Sequence, residues 1–199
     1  MIVIVDYEAG NIASVLNMIR KAGGDAIVSG RADDIKRASK LILPGVGSFD
    51  HGITHLQAKS LPSVMRERVV AGVPLLGICL GMQLLALRSE EGVQPGLGLI
   101  RANFKRFGRP DLRVPHMGWN TLNVTRKHPL LDNIGEEDRY YFAHSYYALC
   151  EDPADVLATT DYGGPFVSAY AQANVVGVQF HPEKSHRFGL RLMKRFLEM

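Results

Sequence analysis

One cysteine stands in a setting that suits a nucleophile. The segment Gly77–Gly81 (GICLG) carries Cys79 between two glycines, after an apolar run and before a helix-like stretch. This is the form of a nucleophile elbow with cysteine in place of serine, where a strand turns sharply into a helix. The helix N-terminus at Leu80 favours a thiolate, and the Leu80 N–H is a candidate oxyanion donor. The alternative is a small buried apolar residue, as most free cysteines are.

A nucleophilic thiol needs a base, and the base needs a residue that orients it. In VVGVQFHPEKS, His181 and Glu183 follow an apolar strand and are separated by Pro182. In an extended chain residues i and i+2 point the same way, so we expect the Glu183 carboxylate to hold the His181 ring. Alone, His181 is better explained as a hydrogen-bonded loop residue. With Cys79, the pattern predicts a Cys-His-Glu triad.

A third strand-like segment, LILPGVGSF at residues 41–49, ends in a loop with two glycines. The Pro44–Gly47 loop is a candidate for a second backbone oxyanion donor, and it is equally well explained as a plain strand-to-helix turn. The chain has neither a GxGxxG after its first strand nor a GxxxxGK[ST], so a phosphate-binding loop is not indicated.

Composition excludes several classes of function. The 199 residues are 46% hydrophobic and 22% charged, with a formal charge of +3 and scattered basic residues, which gives no support for nucleic-acid or membrane-surface binding. Two distant cysteines cannot form a disulfide framework or a zinc site, and we expect no metal and no cofactor. No signal peptide or membrane span is evident. We expect one domain, residues 1–199, in the cytoplasm.

Short apolar runs alternate with amphipathic stretches in the first half, which predicts an α/β fold. Because the runs are apolar throughout, the sheet is expected to be parallel and covered on both faces. Predicted strands are 2–5, 25–28, 41–43 and 74–78, and predicted helices are 11–22 and 61–71.

After Gly92 the hydrophobic pattern changes. Short runs in which apolar and polar residues alternate predict antiparallel strands: NTLNV, RYYFA, DVLATTDY and FVSAYA. A last buried strand at 175–179 and an amphipathic helix over 186–199 end the chain. The expected architecture is therefore a mixed, mainly parallel central sheet flanked by helices, with an antiparallel second half. Ligands bind such sheets at the carboxyl ends of their strands.

Three segments, PGVGSF, GICLGMQLL and GVQFHPEKS, resemble in this order and spacing the class I glutamine amidotransferases. Within that class, DYEAGNIASV, VPHMGWN and YFAHSYY resemble the glutaminase subunit of imidazole glycerol phosphate synthase, from histidine biosynthesis. The resemblance extends over essentially the whole chain. Glu8 departs from it, since glycine is expected in DYGxGN.

The resemblance implies roles for individual residues. Cys79 matches the nucleophile, His181 the general base and acid, and Glu183 the residue that orients His181. Leu80 and Val46 match the backbone oxyanion donors. The residues matched to the glutamine pocket are Gly47, Gln83, His144, Ser145 and Tyr146, and the candidates for contact with a partner subunit are Asn11, His116, Met117, Trp119, Tyr141 and Lys184.

The resemblance also implies a partner, a cyclase subunit with a (β/α)8-barrel fold in a heterodimer. The complex is expected to use ammonia from glutamine to make imidazole glycerol phosphate and an aminoimidazole carboxamide ribonucleotide. Composition alone favours Trp119 as a core residue, whereas the resemblance places it at the interface.

Three other functions remain open at this point. One is a free-standing cysteine hydrolase or peptidase that uses the same triad. The second is an amidotransferase subunit for anthranilate or guanylate synthesis, against which PHMGWN argues. The third is a binding or metal protein with Cys79 and His181 as ligands, which the absence of CxxC and HxxxH spacing disfavours.

Overall fold

A computed structural model describes residues 1–199. The strands are β1 (Ile2–Val5), β2 (Ala26–Ser29), β3 (Lys40–Gly45), β4 (Leu75–Cys79), β5 (Arg88–Ser89), β6 (Ala102–Arg106), β7 (His116–Asn120), β8 (Asn123–Val124), β9 (Tyr140–His144), β10 (Tyr146–Cys150), β11 (Val156–Asp161), β12 (Pro165–Gln172) and β13 (Val175–Val178). The helices are α1 (Ile12–Lys21), α2 (Ala32–Arg37), α3 (Phe49–Ala58), α4 (Leu61–Val70), α5 (Leu80–Leu85) and α6 (His186–Glu198). Short 3-10 turns span Pro129–Leu131, Pro153–Asp155 and Pro182–Lys184.

The central sheet is mixed, as the sequence predicts. Strands β2, β1, β3, β4 and β13 lie side by side in this order and all pair in parallel. The sheet continues through β12, β10 and β6, which pair antiparallel, and a short edge strand, β5, runs parallel to β6. Strands β7 and β9 form a separate antiparallel pair. Helices α2 and α3 were not predicted. Helix α2 has only six residues and buries Ile35 alone, whereas Phe49, Ile53 and Leu56 of α3 do have helical spacing.

Strands β1, β3, β4 and β13 bury both faces. Val3 and Leu41 belong to a core cluster of 28 buried residues, whereas the next residues along the same strands, Ile4 and Ile42, belong to a second cluster of 27. Because successive side chains of a strand point to opposite faces, the two clusters are the two layers between sheet and helices. This is why the strands are apolar runs instead of alternating ones.

The flanking helices bury one side each. Helix α6 buries Gly189, Leu192, Met193 and Phe196, at helical spacing, against the second cluster. None of the six helices combines the length and the apolar composition that crossing a bilayer requires.

Three neighbouring parallel strands end at one edge of the sheet. Gly45 at the end of β3 pairs with Cys79 at the end of β4, and Ile78 pairs with Val178 at the end of β13. The Pro44–Gly47 loop, the cysteine elbow and the segment that carries His181 therefore meet at this edge.

Candidate active site

Cys79 forms a strained elbow. It has φ 53° and ψ −110°, ends β4, and is followed directly by α5. A Cβ added to Gly81 would lie only 1.7 Å from the carbonyl oxygen of Leu43, so α5 approaches β3 this closely only with glycine at that position. Because Cys79 is not a glycine, its positive φ is unfavourable and is maintained by the packing around it. Such strained residues are typical of functional sites.

His181 and Glu183 form the expected pair by a different local route. His181 Nδ1 lies 2.8 Å from Glu183 Oε1, and the two side chains are 3% and 2% exposed. The prediction of an extended chain is wrong here, because Pro182–Lys184 form a 3-10 turn. Pro182 takes the first position of this turn, where its missing N–H costs no hydrogen bond. The turn folds the Glu183 carboxylate back under the imidazole.

The charge state of His181 follows from its neighbours. Burial lowers its pKa, but hydrogen bonds to Cys79 and to Glu183, together with the negative charges of these two groups, raise the pKa to about 10. At neutral pH the ring is therefore protonated and lies between the Cys79 sulfur and the Glu183 carboxyl group, an arrangement in which an imidazolium can pair with a thiolate. Such an ion pair is the activated form of a cysteine nucleophile.

Ser185 is a structural residue that the sequence analysis missed. Its hydroxyl donates to the His181 carbonyl oxygen at 2.6 Å and accepts from the Tyr141 N–H at 3.0 Å. The His181 N–H in turn donates to the Tyr141 carbonyl at 2.8 Å. These bonds attach the turn that carries His181 to β9. The sequence does contain a signal for this bond: Ser185 stands four residues after His181, a separation over which a serine hydroxyl can bond to a backbone carbonyl.

A cavity of about 290 Å³ opens beside the triad. It brings together most of the predicted residues: Val46, Gly47, Cys79, Leu80, Gln83, Met117, His144, Ser145, Tyr146, His181 and Lys184. Glu183 lies behind His181 and does not line it.

Glu91, Pro115 and Ala143 line the same cavity without having been predicted. Glu91 accepts a hydrogen bond from the Phe49 N–H at 3.0 Å. Burial raises the Glu91 pKa against the lowering effect of that bond, and Asp50 raises it further. Glu91 falls in a polar turn that carries no sequence signal, so only the fold brings its carboxyl group to the cavity.

The prediction of His116 as a partner contact is wrong: it is 3% exposed. His116 Nδ1 lies 3.0 Å from His144 Nε2, and Asn120 Nδ2 lies 3.3 Å from His116 Nε2. His144 Nδ1 lies 2.7 Å from the Tyr146 carbonyl oxygen, which can only accept, so Nδ1 carries the proton and Nε2 accepts from His116. Both nitrogens of His144 are thus occupied, so its ring nitrogens are not free to bind glutamine.

Both rings of this pair are neutral. Burial lowers the pKa of His116 to about 4. Burial also lowers the pKa of His144 to about 3, against the opposing effect of the Tyr146 carbonyl. The pair acts as a fixed hydrogen-bonded support for the wall of the cavity formed by residues 144–146.

An exposed aromatic group lies next to the cavity. Trp119 is 46% exposed, stacks on His186 with an interplanar angle of 6°, and contacts Tyr141 edge-on. Lys184 lies over the Tyr141 ring, 5.6 Å from its centre. The composition-based interpretation of Trp119 as a core residue is therefore wrong.

The two remaining candidates for partner contact are also accessible. Met117 is 63% exposed. Asn11 is half-buried at the start of α1, and its side chain makes no capping bond.

The site offers no evident metal centre: no group of three or more His, Cys, Asp or Glu side chains is arranged to hold an ion. Both cysteines are free thiols.

Comparison with known proteins adds independent information. The family model of the class-I glutamine amidotransferases matches residues 3–199. The chain is 52% identical over 201 residues to the imidazole glycerol phosphate synthase subunit HisH 2 of Pseudomonas aeruginosa, with all of both chains covered. It is 50% identical over 200 residues to the subunit of the same name from Methanococcus maripaludis, with 100% of this chain and 99% of the relative covered.

Solved structures agree on the fold. A chain in the structure of PurLQS from Thermotoga maritima superposes with a TM-score of 0.78 at 19% identity, covering 99% of this chain and 97% of that one. A glutamine amidotransferase from Thermotoga maritima superposes with a TM-score of 0.64 at 20% identity, covering 99% of this chain and 80% of that one.

Proposed function

The chain belongs to the class-I glutamine amidotransferase family, and we propose that it is the glutaminase subunit of an imidazole glycerol phosphate synthase, acting in histidine biosynthesis. The observation that carries this proposal is geometric: His181 Nδ1 lies 2.8 Å from Glu183 Oε1, and His181 and Cys79 line the same cavity. Residues 1–199 are proposed to form one amidotransferase domain, in keeping with the family match over 3–199.

The first half of the reaction releases ammonia. The Cys79 thiolate attacks the side-chain amide carbon of glutamine, and the carbonyl oxygen becomes an oxyanion. The backbone N–H groups of Leu80 and Val46 are proposed to hold this oxyanion, since both residues line the cavity and Leu80 is the first residue of α5. His181 gives its proton to the departing nitrogen, the C–N bond breaks, and a thioester remains.

The second half restores the site. His181, now neutral, takes a proton from water as the water attacks the thioester carbon. The C–S bond breaks, glutamate leaves, and Cys79 returns to thiolate opposite the imidazolium. Glu183 keeps the ring oriented in both halves and stabilises its charged form.

The amino-acid end of glutamine needs polar partners. Gly47, Gln83, Ser145 and Tyr146 line the cavity and are proposed to hold the substrate. His144 supports this wall through its bond to the Tyr146 carbonyl instead of through a free ring nitrogen. When ionised, the Glu91 carboxylate is suited to the α-ammonium group of glutamine.

Delivery of the product requires a partner. Free ammonia in neutral water becomes mostly ammonium, which is not nucleophilic, so a shielded path to an acceptor is needed. The relatives are named as subunits of a synthase, which supports the existence of a partner subunit. We propose that this partner is a cyclase with a (β/α)8-barrel fold. The proposed contact comprises Asn11, Met117, Trp119, Tyr141 and Lys184. Met117 and Lys184 line the cavity that would release ammonia, and Tyr141 packs next to Lys184 and Trp119.

The decisive experiment measures glutamate release from glutamine by the purified chain, alone and with the cyclase subunit of the same organism plus acceptor. Strong stimulation by partner and acceptor is expected. Full activity of the isolated chain on peptides, with no effect of the partner, would instead indicate a free-standing cysteine hydrolase. A reaction that depends on a free thiol also fits the cytoplasm, which we propose as its location.

A further inference from the structure

Two buried carboxamides form a short chain of hydrogen bonds that ends at the nucleophile. Gln179 directly follows β13 and is 0% exposed, and Gln83 lies on α5 and is 5% exposed. Gln83 Nε2 lies 3.3 Å from Gln179 Oε1, and Gln179 Nε2 lies 3.8 Å from Cys79 Sγ. Gln179 belongs neither to the proposed triad nor to the proposed oxyanion donors, so the mechanism described above gives it no role.

The orientation of the two amide groups gives this chain of bonds its direction. A carboxamide donates only through nitrogen and accepts only through oxygen, so a bond from Gln83 to the Gln179 oxygen leaves the Gln179 N–H toward the sulfur. On another side, the Ala143 carbonyl oxygen lies 3.9 Å from Sγ and can accept from a thiol but repels a thiolate. The Gln179 N–H has the opposite preference, because a hydrogen bond to a charged acceptor is stronger than one to a neutral acceptor.

We propose that Gln179 donates a hydrogen bond to the Cys79 thiolate and favours this form, and that Gln83 is a positioning residue that holds the Gln179 amide in the donating orientation. The inference rests on the proposed function, since it assigns a further residue to the same nucleophile. Gln179 lies two residues before His181, so one segment supplies both a donor to the sulfur and the acid–base group.

The groups that face the sulfur define how its titration can be measured. His181 lies close enough to Cys79 for each to affect the titration of the other, and its ring contacts Glu183 on the other side. Burial, with a further contribution from Cys79, raises the pKa of Tyr7 well above its ordinary value, and burial lowers the pKa of His144 to about 3. Between pH 4 and pH 10, Tyr7 and His144 stay neutral. Glu91, whose pKa burial raises, and Lys184 line the same cavity, but they are unchanged in every variant, so a difference between variants reports the thiol–imidazole pair.

The test is the pH dependence of alkylation of Cys79 by iodoacetamide, followed by peptide mass spectrometry from pH 4 to pH 10, because only the thiolate reacts. Gln179→Met removes the donor at similar size, and Gln179→Glu replaces it with an acceptor. Gln172→Met, on neighbouring β12, is the matched control. We expect the midpoint of the acid limb to rise by about one pH unit in Gln179→Met and further in Gln179→Glu, with no shift in Gln172→Met.

Unchanged midpoints in both Gln179 variants would overturn the proposal, as would an equal loss of rate at every pH, which indicates a merely steric role. If circular dichroism shows that Gln179→Met does not fold, the same alkylation assay is made on Gln83→Met. It should raise the midpoint by less than one unit, and an unshifted midpoint would overturn the proposal. The assay uses neither glutamine nor the partner, so absence of glutaminase activity in the unaltered protein would count against the proposed function alone.

Discussion

The hydroxyl of Tyr7, after the first strand, donates a 2.7 Å hydrogen bond to the carbonyl oxygen of Pro44. Tyr7 is 0% exposed, and a Cβ on Gly45 would lie 2.3 Å from its hydroxyl oxygen. The phenol therefore occupies the space that a side chain at Gly45 would need. The hydrogen bond to Pro44 fixes the position of the loop whose Val46 N–H is proposed to bind the oxyanion.

Tyr7→Phe removes this bond and leaves a buried carbonyl without a partner. We expect a loss of about 1–3 kcal/mol in the free energy of unfolding. Glutamine hydrolysis by the complex should also fall, because the Val46 donor is less well held. Urea denaturation and a glutaminase assay measure the two effects. Tyr162→Phe is the control, since Tyr162 donates to the Arg113 carbonyl at the surface. Equal stability of the two variants would contradict the role given to Tyr7.

Cys79→Ala should abolish glutamine hydrolysis, because no other group can form the thioester. The complex should still use added ammonium salts, since the acceptor site is proposed to lie on the partner. Product formation from glutamine and from ammonium, measured side by side, distinguishes the two. Loss of both activities would point to a structural role for Cys79. Cys150→Ala is the control thiol and should retain both, because burial raises the pKa of Cys150 to about 12.

Glu183→Gln should lower kcat for glutamine hydrolysis by about 10²- to 10⁴-fold, less than Cys79→Ala, because the ring loses its orienting carboxylate. Removing that charge also lowers the His181 pKa from about 10 toward its ordinary value. Above the new pKa the ring cannot protonate the leaving nitrogen, so the alkaline limb of the pH–rate profile should move to lower pH. A profile with an unmoved limb and normal kcat would remove Glu183 from the triad.

Trp119→Ala should weaken association with the proposed cyclase subunit while changing stability little, because the side chain is 46% exposed. Isothermal titration calorimetry and the stimulation of glutaminase activity by the partner measure the effect, and an interface anchor of this type is worth about 2 kcal/mol or more. Val93→Ala, an exposed apolar residue that does not line the cavity, is the control. Normal affinity together with normal stimulation would exclude Trp119 from the contact.

The buried neutral histidines predict acid sensitivity. The folded-state pKa values of His116 and His144, about 4 and about 3, lie below the ordinary value of 6.5. Their contribution to stability is therefore present above about pH 6.5 and is lost as pH falls toward these values, because the unfolded chain binds the protons first. His181 has the opposite effect on the free energy of unfolding. Because its pKa is raised, it stabilises the folded protein below about pH 6.5, and this stabilisation is lost as the pH rises toward 10.

Urea midpoints at pH 7.5 and pH 5 should differ less in His116→Gln than in the unaltered protein, because one of the two buried histidines no longer titrates. His51→Gln, at an exposed position, is the control and should leave the difference unchanged. An identical pH dependence in all three proteins would contradict the assignment of His116 as buried and neutral.

Features that depend on neighbours in the chain were predictable from the amino-acid order. The buried strands, the helix at Ile12–Lys21 and the cysteine elbow follow from apolar runs, periodicity and flanking glycines. Cys79, His181 and Glu183 were recognisable because Cys79 ends one buried strand, the other two residues follow shortly after another, and the ends of parallel strands share one edge.

The remaining features depend on which distant segments meet. Burial of His116 follows from its pairing with His144, 28 residues away, and the bond from Gln179 to the sulfur spans 100 residues. Glu91 reaches the cavity from a polar turn, and Glu183 reaches His181 through a 3-10 turn where an extended chain was expected. Local patterns carry backbone preference and the direction of a side chain along its own element. Burial, protonation and the partner of each polar atom are decided by packing between segments, which only the tertiary structure supplies.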